Sequence, residues 1–292
     1  MLYYVSYTDF TMRSHDVSGH VDYVKYIYEN NDFPVRSTCW QCYHPPLYYL
    51  IVTPVYGLLK LANLNVEKGL QYTSVFFILI YLIFSYLTYK QIFKDIRSAG
   101  IALALTAFWP SLIIHAARIG NDSLLYMFYA IGFYGLTSWW YSNKNRDLLL
   151  ALVCASLAVL TKSNGFILWG IIFAVMTIKF FSSKFKIKQI ASKIWVAVPL
   201  AITLGLLYIK KLNDPYMKSW PIGNQDGLPE VLKIGASFHN FAYFDVVTFF
   251  KSPFIDAWND TGGRQYFWNY LLKSSLFGEF SFNAVPIWIT VC

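Results

Sequence analysis

The sequence predicts an all-α protein: a polytopic transmembrane helix bundle with juxtamembrane helices on its outer face. Three observations carry this. Of 292 residues, 56% are hydrophobic and only 14% charged, too apolar a mixture for a soluble domain. Aromatic residues reach 20%, and many lie near the ends of apolar runs, where amphipathic rings favour the headgroup zone. The formal charge of +8 sits mostly in short links between apolar runs, a membrane-topology pattern that argues against nucleic acid as a partner.

Residues 1–63 read as an outer-face loop with juxtamembrane helices. The first ten residues lack the apolar core of a signal peptide. Val17, Val21, Val24 and Tyr28 recur at helical spacing, with Asp16, His20, Tyr23 and Ile27 on a neighbouring stripe. That pattern fits a short helix lying on the membrane surface, with Asp16 at its start. Pro45 and Pro46 stop what precedes them and open the next helix. The run 47–61 is apolar but contains Pro54, Gly57 and Lys60. At about 1.5 Å per residue it is short for a hydrocarbon core of roughly 30 Å.

Residues 64–209 hold six clearer spans: 70–89, 99–117, 123–141, 148–161, 165–181 and 194–209. The fourth is short and needs snorkelling ends or local thinning. Pro110 and Pro199 fall inside spans, which neighbouring helices tolerate in lipid. Residues 210–283 form a long outer-face loop, and 284–292 begin a further span.

Orientation follows from the links. Lys90, Lys94 and Arg97 share one; Lys144 and Arg146 another; Lys179, Lys184, Lys186, Lys188 and Lys193 a third. These fall on one side, cytoplasmic by the positive-inside rule, whereas the alternate links carry only Arg118 and Lys162. Laying 47–61 on the outer surface, rather than across the membrane, gathers the acidic first loop and these two links on one face. That arrangement implies a span preceding residue 1.

Each polar residue on that face has an ordinary reading. Asp16 and the pair Asn121, Asp122 fit helix caps. Arg118 and Lys162 fit cations reaching to headgroups. His44 beside two prolines shapes a turn, and His20 hydrogen-bonds along a helix face. Arg264, in the turn-forming segment 258–264 of the long loop, fits a solvated residue. Caps and headgroup cations have no need to share a face, whereas an active site does. Cys39 and Cys42 form a single CxxC, a weak zinc signal; a local disulfide is the other reading if the loop faces an oxidising compartment.

An Asp-bearing first loop, an HPPL turn at 44–47, a turn bearing Arg118, Asn121 and Asp122, and a turn bearing Thr161, Lys162 and Gly165 follow in order. In this the chain resembles the polytopic GT-C glycosyltransferases, in their dolichyl-phosphate-mannose protein mannosyltransferase-like and aminoarabinose-transferase-like branch. The resemblance covers roughly residues 10–180, with a weaker echo at 273–279. It implies sugar transfer from a polyprenyl-phosphate donor to a protein or glycolipid acceptor at the periplasmic or lumenal face, in contact with membrane lipids. By resemblance, Asp16 is the base toward the acceptor. Asp122 is a second acid, positioning the acceptor or a divalent ion, while His44, Arg118, Lys162 and Arg264 meet the donor phosphate. No cofactor is firmly implied and no metal ligand is assigned, although a divalent metal remains open. The family has a span before its first outer loop, so an N-terminally truncated fragment is expected, cut short at its C-terminal spans as well.

Two other functions compete. A transporter places ionisable groups near the midplane, often in paired repeats, whereas these span interiors hold essentially no acids or bases and show no repeat. A non-catalytic scaffold needs no convergence of polar turns. Where Asp16, Asp122 and Lys162 meet discriminates among the three.

Overall fold

Helix boundaries follow local chemistry. The computed structural model describes residues 1–12, 14, 16–182, 194–216, 238–247, 266–269 and 271–272, and among these every regular element is helical. After α1 (Leu2–Tyr7) and α2 (Val17–Asn30), α3 (Leu47–Leu61) starts directly behind Pro46. The Asn65 side chain caps α4 (Val66–Ile92), accepting from the Lys68 N–H at 2.7 Å.

The run 99–117, expected as one span, is instead two helices, α5 (Ile96–Ala107) and α6 (Pro110–Ala117). Pro110 is the cause. It has no N–H for the preceding turn, and its fixed φ suits the first position of a new helix. α7 (Asp122–Ser142), α8 (Asn145–Thr161) and α9 (Gly165–Ser182) match the next three expected runs closely. The last run is a 3₁₀ turn, Ile194–Val196, leading into α10 (Ala197–Asn213). Pro199 lies in the first turn of α10, where a missing N–H leaves nothing unpaired.

The chain divides into two compact units, 1–107 with 116–223, and 108–115 with 224–292. In the first unit α4 and α7 run parallel. Tyr81 meets Tyr126 at 6.2 Å, Phe84 meets Tyr134 at 5.5 Å, and Gln91 Nε2 donates to Ser138 Oγ at 2.7 Å. α8 returns antiparallel and close to α7. A Cβ on Gly135 would lie 2.9 Å from the Asp147 carbonyl oxygen, so only glycine admits this approach. α9 follows α7 again, from Leu168 beside Gly132 to Lys179, whose Nζ donates to the Trp139 and Trp140 carbonyls at 2.9 and 2.7 Å. Leu136, Trp139, Leu152, Leu168 and Ile172 fill the core between these three helices.

α2 and α3 pack parallel above a second core that includes Tyr23, Tyr49, Leu70 and Leu124. Tyr23 stacks on Tyr49 at 3.7 Å, and at the far end Lys60 approaches Glu29 at 3.9 Å. The slope of α3 can be read from its contacts on α4. Tyr48 meets Ser74 and Leu59 meets Gly69. Those eleven residues advance about 16 Å along α3, whereas the five between Gly69 and Ser74 span about 8 Å of α4. α3 is therefore inclined to α4.

In the second unit, α11 (Phe238–Ala242) and residues 266–272 belong to the expected long loop. Asp245 N–H donates to Asn269 Oδ1 at 2.8 Å and Asn269 Nδ2 returns to the Asp245 carbonyl at 2.7 Å. The further span expected at 284–292 lies outside the described residues.

By length and apolarity α4 suffices to cross a membrane, and α5 with α6 would make a second span if taken as one; α3 and Gly165–Lys179 are apolar but shorter. The tyrosines, serines and glycines inside α7 lower its apolarity.

Candidate active site

Asp16 stands at the N-cap position of α2, yet its carboxylate caps nothing. It accepts instead from Ser14 Oγ at 3.3 Å and from Gln41 Nε2 at 3.4 Å, and its Oδ2 lies 3.5 Å from His20 Nε2. The helix spacing i, i+4 sets Asp16 and His20 on one face. His20 is buried, shares a 2.9 Å hydrogen bond between Nδ1 and the Tyr49 hydroxyl, and stacks parallel to His44 at 5.8 Å.

The second acid is arranged likewise. Asn121 occupies the N-cap position of α7 without capping it, and its Nδ2 donates to the Thr161 carbonyl at 3.2 Å. That bond ties the start of α7 to the end of α8. Beside it Lys162 Nζ donates to Asp122 Oδ1 at 2.6 Å, with both side chains about a quarter exposed. The turn that aims Lys162 depends on Gly165. A Cβ there would sit 2.2 Å from the Val159 nitrogen, so no other residue fits, and the Gly165 N–H closes the turn on the Lys162 carbonyl at 2.9 Å. Arg118 is half-buried on the same turn as Asp122, with its carbonyl held by Ser74 Oγ at 2.7 Å.

These turns converge. Gly120 lies against His20, with its Cβ direction 3.4 Å from Nε2. The Tyr43 phenol feels both Asp16 and Asp122; burial first, then these two carboxylates, push its pKa well up. His44 is buried, and burial, followed by the Lys162 and His20 charges, holds its imidazole well below the usual value against the opposing pull of Asp122. Five of the six expected residues thus belong to turns at one end of this unit. Arg264 lies outside the described residues.

The model of the dolichyl-phosphate-mannose-protein mannosyltransferase family matches residues 57–211, more than half of the chain. The chain belongs to this family. As a mannosyltransferase-family protein it is an integral-membrane glycosyltransferase. The match includes Arg118, Asp122 and Lys162, and begins beyond Asp16 and His44. No curated protein and no solved structure matches the chain.

Two residues beside these turns, Lys210 and Asp214, carry no sequence signal. Lys210, at the end of α10, donates from Nζ to the Tyr23 hydroxyl and the Cys42 carbonyl, each at 3.3 Å, and to the His44 carbonyl. Asp214 accepts from the Arg36 N–H at 2.7 Å. A lysine ending an apolar run reads as a headgroup cation, so only packing reveals its partners. Cys39 and Cys42 form a disulfide, with Cα atoms 5.1 Å apart. Among the described residues no group of three or more His, Cys, Asp or Glu is gathered as for a metal ion.

A groove of about 520 Å³ runs along α4 and α7. Tyr81, Tyr126, Tyr129 and Phe133 line it, and Asn164 and Ile167 bring it to the turn that carries Lys162. Tyr129 donates to the Asn164 carbonyl at 2.7 Å, fixing that end.

Proposed function

We propose that the chain is a polytopic GT-C-type bundle that moves a mannosyl group from a polyprenyl-phosphate donor to an acceptor hydroxyl at the non-cytoplasmic face. Asp16 takes the acceptor proton as the oxygen attacks the anomeric carbon. The bond from that carbon to the phosphate oxygen breaks, and its electron pair leaves with the lipid phosphate. Lys162 and Arg118 offset the charge gathering there, and Asp122 holds Lys162 in place until the phosphate arrives. His44, kept neutral by burial near neutral pH, serves as a hydrogen-bond partner rather than a fixed charge. The aromatic groove suits the apolar tail of the donor, because Asn164, on the turn that carries Lys162, lines it.

One observation carries this reading. Asp16 is spared from capping α2, and its partner His20 packs against Gly120, on the turn that leads into Asp122 over a hundred residues away. Independent helix caps have no reason to meet. The Cys39–Cys42 disulfide supports placing this end in an oxidising compartment. At the other end Gln91 meets Ser138 and Lys179 meets Trp139, which groups the basic links on the side the positive-inside rule makes cytoplasmic. A transporter gains no support from charges gathered at one end.

In membranes carrying the full chain, Asp16→Asn should lower mannose transfer from dolichyl-phosphate mannose by at least about a hundredfold, with expression and insertion unchanged. Wild-type turnover in that variant removes Asp16 from the mechanism.

A further inference from the structure

The loop bearing Cys39 and Cys42 is fastened on both sides. Toward α2, it packs where Gly19 leaves room. A Cβ on Gly19 would lie 2.8 Å from Gln41 Cγ, 3.0 Å from the Gln41 nitrogen and 3.1 Å from Trp40 Cβ. Glycine inside a helix is less favourable than alanine, and here it admits this loop. Cys39 Sγ approaches the Gly19 carbonyl at 3.6 Å. Toward α10, Lys210 holds the Cys42 and His44 carbonyls. The disulfide closes the loop across its two inner residues, Trp40 and Gln41.

Those two residues point to different environments. Trp40 is 56% exposed, whereas Gln41 is 3% exposed and turns its amide inward. Its Nε2 reaches Asp16 Oδ2 at 3.4 Å, and its Oε1 is buried without a hydrogen-bond partner. A free glutamine in such a place would adopt many rotamers. Closure at Cys39–Cys42, the fit against Gly19 and the Lys210 clamp leave it few, so the ordering entropy is spent on folding rather than during turnover.

We propose that Gln41, presented by the Cys39–Cys42 loop, is a positioning residue for Asp16. Its amide N–H, with His20 Nε2, holds Oδ2, which turns Oδ1 and the Ser14 hydroxyl that donates to it toward the acceptor. The disulfide's part is to keep Gln41 in that rotamer. This rests on Asp16 acting as the base.

The test measures mannose transfer from dolichyl-phosphate mannose to an acceptor peptide in membranes with the full-length chain, comparing wild type, Gln41→Leu and Gln41→Glu. For Gln41→Leu, kcat should fall about tenfold with the donor KM within about twofold, as for loss of one hydrogen bond to a charged group. In Gln41→Glu the two carboxylates share a proton in acid and repel when both ionise. Its kcat relative to wild type should therefore fall about tenfold between about pH 5.5 and about pH 7.5. A merely structural Gln41 would reduce the amount of active enzyme equally at both pH values. A flat ratio for Gln41→Glu, or an unchanged kcat for Gln41→Leu, overturns the proposal. A wild-type chain that transfers nothing overturns the transferase reading beneath it, and normal turnover in Asp16→Asn with active wild type overturns the role of the base.

Discussion

Burial governs the behaviour of His44. Its imidazole is desolvated and faces the Lys162 ammonium, so the folded protein resists protonating it. The unfolded chain, with an ordinary histidine pKa near 6.5, takes up that proton first as the pH drops. The stability tied to neutral His44 is present above about pH 6.5 and is lost as pH falls toward the folded pKa. In detergent, wild type should therefore lose its melting-temperature advantage over His44→Gln as pH falls below 6.5. A gap that stays constant contradicts the buried, desolvated placement. Asp16 and Asn121 are alike in what their side chains leave unused. Each occupies a cap position that its side chain leaves unused, and each reaches a group on a distant segment, Gln41 for Asp16 and Thr161 for Asn121.

Among the elements, α7 and α8 depend most on close approach. A Cβ at Gly135 would press on the backbone of α8, at the Asp147 oxygen and the Ala151 nitrogen, which cannot give way as a side-chain tip can. Gly135→Ala should destabilise by about 1–3 kcal/mol, read as a lower melting temperature. Gly170 in α9 is the control, because nothing lies within 4 Å of its Cβ direction. Gly170→Ala should be neutral or stabilise by up to about 1 kcal/mol through helix propensity. Equal losses in both variants would contradict the packing of α7 on α8. The same sensitivity to backbone explains where element prediction departed from the structure. Pro110 broke an apolar run into α5 and α6 because apolarity says nothing about a missing N–H.

Sidedness in the membrane is a property of the whole molecule. With Cys154→Ala and Cys292→Ser as background, a cysteine at Asn164 should react with an impermeant maleimide added from outside intact cells or sealed lumen-out vesicles. A cysteine at Lys94 should react only after permeabilisation. Asn164 is exposed on the turn beside Lys162, and Lys94 is exposed in the link after α4. The reverse pattern would put the acids in the cytoplasm, where the disulfide would be kept reduced.

Taken alone, the sequence determined that this is a helical membrane protein, where most helices begin and end, and which turns carry acids and cations. Those properties are local: apolar runs, prolines, and glycines such as Gly165 that admit no Cβ. It also carried the family likeness, through turns whose order survives without any knowledge of contacts. What it left undecided was whether Asp16 and Asn121 cap helices or serve a site, and what Lys210 and Gln41 touch. A cap, a headgroup cation and an active-site residue share the same identity and spacing. Tertiary structure decided what each of them touches, because a side chain's partner is set by whichever segment packs opposite it, and here that segment lies tens to more than a hundred residues away.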